Sequence, residues 1–328
     1  MPDEPKKERF NPSRLVTYQR CHFLYYVKYE LNRVPVQTVP HYITLGSLFH
    51  AASEAYDRCH FASDKSVDWR ESIRSAVRSI RTQPNYNPKD SDLLDLLAYD
   101  TQRMMVAGPY EAVDGNTYEP EYSHSGGYAA WRKYIQRSRS WEIVSLEKRY
   151  AADLGRVIVA PQPDGVIREN GKLWVLERKT TSTESAGFEK KYRVSLQTTL
   201  EAMAVEDYYQ EEVMGVYILP VKYTRKKSSK WRFDKLPQPL YRVTYCDPHP
   251  IPKSKAVKSQ AEMCVDQIMQ DIEWRRQTKL WIQNPSSCMM GRAGCDLYEL
   301  CWGNLKLQEL VPRPDDGIQE ALLRDSEN

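Results

Sequence analysis

The chain has 328 residues, 28% of them charged, yet its 47 lysines and arginines against 44 acids leave a formal net charge of only +3. That length suits one large domain or two modest ones, and the near balance means that any contact with nucleic acid has to come from local clusters. No apolar run reaches the roughly 20 residues of a membrane span, and the start, MPDEPKKERF, has no apolar signal region, so a soluble, cytoplasmic protein that does not engage a membrane is expected.

In chain order, residues 1–10 read as a charged tail. NPSRLVTYQRCHFLYYVKYEL follows as a helix, with Ser13 as its expected N-cap and Leu15, Tyr18, Phe23, Tyr25 and Tyr26 on its apolar face. HYITLGSLFHAASEAYDRCH is a second helix, with Leu45, Leu48, Phe49, Ala52 and Tyr56 to one side. Residues 67–82 and 89–107 read as further helices, separated by the turn QPNYNP. AGPYEAVDGNTYEPEYSHSGGY is irregular. A sheet region begins near Trp141. Residues 157–160 and 165–168 are extended, and Asn170-Gly171 is a strong hairpin signal. RVSLQTTLEAMAVEDYY is a helix. VMGVYILPVKYT and LYRVTYCD are strands, joined by the basic stretch TRKKSSKWRFDKLPQP. A long amphipathic helix covers about 253–283, and the residues after Val311 lack a core pattern.

The stretch WVLERKT, Trp174 to Thr180, is the most telling in the chain. It starts as a buried strand and ends in three charges. Side chains alternate along a strand, so Val175, Glu177 and Lys179 share one face while Trp174, Leu176 and Arg178 share the other. The Asn170-Gly171 turn folds residues 164–168 back against 173–177. That pairing carries Asp164 to the end of the strand that holds Glu177 and Lys179. Two carboxylates with a lysine suit a hard divalent cation and an attacking water.

Pro163-Asp164, twelve intervening residues and Glu177-Arg178-Lys179 together resemble the signature of the PD-(D/E)XK nuclease superfamily. The resemblance implies an α/β fold: a restriction-endonuclease-like core whose mixed sheet is flanked by helices, plus a helical N-terminal region. The expected division is 11–140 for that region, 141–285 for the nuclease core, 286–303 for a cysteine segment and 311–328 for a flexible tail. By the same resemblance Asp164 and Glu177 hold Mg²⁺ or Mn²⁺, with the Arg178 carbonyl nearby, and Lys179 positions or deprotonates the attacking water. Gly46 to His50 is similar to the Gly-x-x-x-His helix of RecB-like members, which makes His50 a further metal ligand. On a helix Gly46 and His50 lie one turn apart on one face, and the glycine admits a close neighbour. Gln197 matches a glutamine that relatives place after the motif strand. Their tyrosine four residues on is Glu201 in this chain. Glu147 is a weaker candidate, beside the site or paired with Lys148 or Arg149.

Seven cysteines, an odd number, argue against a disulfide framework. Cys59, Cys246 and Cys264 read as small buried hydrophobes. Cys288, Cys295 and Cys301, spaced C-x6-C-x5-C, with Cys21 far upstream, resemble the iron–sulfur staple of the AddB nuclease domain and of CRISPR-associated RecB-like exonucleases. The relatives usually have a tighter first pair, and a proline where this chain has His22. Four thiolates suit a [4Fe–4S] cluster, with zinc as the alternative. DNA contacts are expected from Arg225, Lys226, Lys227, Lys230, Trp231 and Arg232, and from the Trp131 to Trp141 segment. The resulting expectation is a metal-dependent DNA exonuclease of recombination, repair or DNA processing, with a helicase or recombination protein as partner. The alternative is a non-cleaving nuclease-fold protein that binds DNA or a partner and is stabilised by its cysteine site.

Overall fold

The structure, a computed structural model, describes residues 7–35, 41–61, 68–83, 86, 91–106, 110–111, 117–118, 127–181, 187–225, 241–288, 295, 297–301, 303 and 305–313. The chain starts with β1 (Glu8–Phe10), α1 (Pro12–Arg20) and α2 (His22–Tyr25), then a π-helical turn at Tyr26–Glu30 and β2 (Arg33–Val34). Four helices follow: α3 (His41–Phe61), α4 (Trp69–Thr82), α5 (Ser91–Val106) and, after the short β3 (Tyr110–Glu111) and β4 (Thr117–Tyr118), α6 (Tyr128–Arg139). The strand-rich part holds β5 (Glu142–Leu146), β6 (Ala152–Asp153), β7 (Val157–Val159), β8 (Gly165–Glu169) and β9 (Lys172–Thr181). Then come α7 (Gly187–Arg193), α8 (Leu196–Tyr209), β10 (Val213–Arg225), β11 (Tyr241–Cys246), β12 (His249–Pro252) and α9 (Lys255–Thr278). Two single-turn helices, α10 (Pro285–Cys288) and α11 (Tyr298–Cys301), precede β13 (Val311–Pro312).

The main sheet has the order β4-β3-β11-β10-β9-β8-β5, with β12 also paired to β10. It is mixed: β9 runs parallel to β10, while β8 is antiparallel to both β9 and β5. A parallel neighbour needs a crossover, and α7 with α8 supplies it between β9 and β10. Alternation along β9 sorts the two faces. Trp174 and Leu176 pack with Leu45, Leu48 and Phe49 of α3 and Trp131 of α6, whereas Leu173 and Val175 pack with Ala202 and Val205 of α8. Helices of the N-terminal region and the sheet therefore share one core. Behind α8, α1 and α9 close the far side through Leu15, Tyr18, Leu200, Val265 and Ile272. Each such side chain, once buried, contributes about 1.5–3 kcal/mol.

The first helix differs from its expected form. Asn11 is the N-cap, accepting the Arg14 N–H at 2.8 Å, because Pro12 occupies the first helical turn, where its missing N–H costs nothing. Cys21 interrupts the helix with extended backbone, φ −163° and ψ 120°. Among the described residues, no helix is long and apolar enough to cross a membrane.

Candidate active site

The hairpin that organises the site is set by its turn. Asn170 and Gly171 take positive φ of 50° and 74°, the combination that a two-residue turn needs to match the twist of its strands. Glu169 then pairs with Lys172 and, four residues on, Gly165 pairs with Leu176. The next step of that register sets Asp164 beside Glu177. Asp164 is held from two directions. One carboxylate oxygen accepts the Arg178 backbone N–H, and the other lies 3.3 Å from the Arg178 guanidinium and 3.4 Å from His50 Nδ1.

Glu177 and Lys179 leave β9 on the α8 face. The Lys179 ammonium donates to Glu177, and Gln197 Nε2, from the first turn of α8, reaches the same oxygen at 3.4 Å. His50 comes from α3, on the other side of the sheet. Gly46 makes its approach possible: a Cβ at that position would stand 2.9 Å from Thr180 Oγ1 on β9. All the residues expected for the hydrolytic site, Asp164, Glu177, Lys179, Gln197 and His50, thus meet at the C-terminal end of β9.

Burial alone would raise the Asp164 carboxyl, but the charges of Arg178 and His50 outweigh it and hold the group below the usual carboxylate range. Burial raises Glu177, with Lys179 opposing. Burial pulls Lys179 down, and the charge and hydrogen bond of Glu177 more than restore it, so it stays an ammonium. Glu147 is pushed up to about 9 by burial, and burial also takes Glu201 well above the carboxylate range. Desolvated carboxylates crowded together gain most from an added cation. Oxygen donors of this kind, with an imidazole, fit a divalent metal. Among the described residues, no group of three or more His, Cys, Asp or Glu side chains stands in a metal-holding arrangement.

Several residues of the site were not legible in the sequence. The Arg178 side chain, expected merely to face away from Glu177, is buried in a charged network. It bonds Glu147, lies 3.6 Å from Asp57 and stands 3.5 Å from the Tyr128 hydroxyl. Arg132 Nε reaches Asp57 at 3.3 Å, and the Tyr128 hydroxyl donates to Asp57 at 3.0 Å. Glu147 is therefore tied to Arg178 rather than to its sequence neighbours. The only sequence signal for Asp57 was its position two turns after His50 on α3. Glu201, which accepts from Gln197 at 2.9 Å, is the other addition.

Of the expected DNA contacts, Arg225 ends β10, opposite Tyr241, and residues 226–232, with Lys226, Lys227, Lys230, Trp231 and Arg232, lie outside the described residues. Trp131 and Trp141 are both buried. Their indole N–H groups donate to the Cys246 carbonyl and to Glu169, so these rings are core and not a stacking platform.

Cys21, Cys288 and Cys295 share one buried cluster with Leu24, Val27, Leu297 and Leu310, and the half-buried Cys301 packs against it. Among the described residues none of the four is in a disulfide. Burial, then the proximity of Cys295, Cys288 and Cys21, pushes the Cys301 thiol up to about 11. The sequence-distant cysteine and the C-terminal trio are therefore neighbours.

The decisive comparison is with protein families: the model of the PD-(D/E)XK nuclease superfamily matches residues 9–301. The chain belongs to that superfamily. The mixed sheet between helical layers is consistent with this nuclease fold. No curated protein matches the chain. Among solved structures, SSO0001 is similar at 11% identity and a TM-score of 0.29, over 79% of this chain and 85% of that one. A structure from Eubacterium rectale named "Putative exonuclease" is similar at 11% identity and a TM-score of 0.30, over 86% of this chain and 96% of that one. At these scores the two carry no argument beyond the family match.

Proposed function

We propose that this nuclease-superfamily member is a metal-dependent DNA exonuclease of the RecB-like type, acting in DNA recombination, repair or processing. One observation carries the proposal: Asp164, Glu177, Lys179, His50 and Gln197, drawn from 148 positions of sequence, meet at one end of β9. Asp164, Glu177 and His50 would hold Mg²⁺ or Mn²⁺, which when bound acidifies a water and offsets charge on the scissile phosphate. The Lys179 ammonium, bonded to Glu177, orients the attacking water and steadies charge building on the phosphate oxygens. Asp164 is presented ionised by Arg178, so a cation meets a ready donor. Lys190, Lys191 and Arg193 are exposed on α7, which joins the strand of Lys179 to the helix of Gln197. They suit the phosphates of the bound strand, as do the cations after β10.

The cysteines support the finer reading of an AddB-type staple. Three buried cysteines with the half-buried Cys301 against them are a soft donor set that would suit a [4Fe–4S] cluster, with zinc as the alternative. A helicase or recombination protein is the partner class we propose. Digestion of end-labelled linear DNA and of closed circular DNA, with Mg²⁺ and with EDTA, tests the activity. Cleavage of the linear form alone, abolished by EDTA, supports an exonuclease. Cutting of circles means an endonuclease, and binding without cleavage means the non-cleaving alternative.

A further inference from the structure

Glu201 is 3% exposed and buried as deeply as the core around it. One of its oxygens accepts the Gln197 side-chain N–H at 2.9 Å, while Oε2 has no hydrogen-bond partner among the described residues. A half-satisfied buried carboxyl costs stability, and an apolar side chain of similar size would cost less. Such a group belongs to working sites more than to packing. It lies one helical turn after Gln197 on the same face of α8.

We propose that Glu201 is a positioning residue that sets which end of the Gln197 amide faces the reaction. The amide nitrogen of Gln197 lies between two carboxyl oxygens, 3.4 Å from Glu177 and 2.9 Å from Glu201. Both of those oxygens accept hydrogen bonds, so both amide hydrogens are taken and the carbonyl oxygen is turned away from the two acids. A carbonyl oxygen can only accept. Gln197 therefore serves the reaction as an acceptor, for a proton of the attacking water, and not as a donor to a phosphate oxygen. Without Glu201 the amide keeps a single, longer bond to Glu177 and is free to rotate. The inference rests on the nuclease reading for its catalytic consequence, but the orientation itself does not depend on activity.

The test uses the full chain labelled with ¹⁵N-glutamine, the Gln197 side-chain signals being those lost in Gln197→Ala. In the wild type and in Glu201→Gln, which keeps a carbonyl acceptor, those signals should exchange slowly with water. In Glu201→Met they should exchange about tenfold faster, the effect of losing one hydrogen bond of ordinary strength. With Mg²⁺ and DNA, single-turnover cleavage by Glu201→Met should also fall about tenfold, while Glu201→Gln stays within about threefold of wild type. The double variant Gln197→Ala/Glu201→Met should be no slower than Gln197→Ala, because both act through one amide. The melting temperature of Glu201→Met should hold or rise, the opposite of what a purely structural residue gives. If Glu201→Met does not fold, Glu201→Ala takes its place in each measurement. Unchanged Gln197 exchange, or losses that add in the double variant, would overturn the inference. A wild type that cuts no DNA with Mg²⁺ or Mn²⁺ sinks the nuclease reading, and the exchange measurement still decides the positioning role.

Discussion

Lys179 and His50 separate chemistry from framework. Lys179 is half-buried in the site and bonded to Glu177, and Lys179→Ala should leave the fold intact and slow cleavage by about 10²–10⁴-fold. His50→Ala should shift the Mg²⁺ or Mn²⁺ requirement to higher concentration in an activity titration. Lost stability with an unaltered metal curve would leave His50 a packing residue. Lys253 supplies a test by pH. Its ammonium is buried and donates to the Tyr192 and Arg193 carbonyls at 2.7 and 3.1 Å, at the end of α7. Burial lowers it to about 8, with Glu201 opposing. Because the folded state gives up this proton before the unfolded chain does, the unfolded chain binds more protons between pH 8 and 10.5. Stability from this group therefore rises across that window, by up to about 3 kcal/mol. Urea midpoints at pH 7.5 and 10 should show Lys253→Met without that increment relative to wild type. Equal pH slopes in the two proteins would mean that Lys253 is not desolvated. Asp164, Glu177 and Lys179 could be read from the sequence because a strand's period of two and an Asn-Gly turn fix their register. Asp57, Arg132 and Glu201 could not, since their partners lie on other elements and no local pattern marks a buried charge.

The seam between α3 and β9 decides whether His50 reaches Asp164. Gly46 stands where a Cβ would be 2.9 Å from Thr180 Oγ1. Gly46→Ala should push the helix off the strand, costing about 1–3 kcal/mol by overpacking and lowering activity with it. Removing the obstacle restores the space, so Gly46→Ala/Thr180→Ala should recover both activity and denaturation midpoint. The added alanine contributes about 0.5–1 kcal/mol of helix preference of its own. A double variant as impaired as the single would mean that the contact does not set the spacing. That the glycine admits a close neighbour followed from the sequence, while the identity of the neighbour, a threonine hydroxyl on the motif strand, needed the fold. Helices 67–82 and 89–107 and the long helix after residue 253 were legible through their apolar spacing. The break at Cys21 was not, because apolar residues continue on both sides of it. Trp131 and Trp141 misled for a related reason: interleaved arginines suggest a surface, yet Arg132 is itself buried against Asp57.

The two ends of the chain are joined by more than cysteines. Arg276 at the end of α9 binds Glu8 and Glu30 at 2.8 and 2.7 Å. The Phe23 N–H donates to the Ile282 carbonyl at 3.1 Å, Asn284 Nδ2 donates to the Arg20 carbonyl at 3.0 Å, and Trp281 stacks on Tyr25 and Tyr26. A crosslink closing so long a loop would by itself contribute on the order of 5 kcal/mol. With this clasp already closing it, the thiol site should add less. The protein purified without oxygen should be brown, coloured by a thiolate-bound cluster. Cys21→Ala and Cys301→Ala should bleach it alike and lower its thermal midpoint alike without unfolding it. Cys59→Ala should do neither. Stoichiometric zinc in a colourless, active protein would move the assignment to a zinc site. The proposed function rests on the Asp-Glu-Lys set at the end of β9. Its most direct test is digestion of end-labelled linear DNA with Mg²⁺ by the wild type beside Glu177→Ala, each checked for equal DNA binding. Cleavage is expected from the wild type only, stopped by EDTA, with binding retained in Glu177→Ala. Cleavage at the wild-type rate by Glu177→Ala would contradict the assignment of the site.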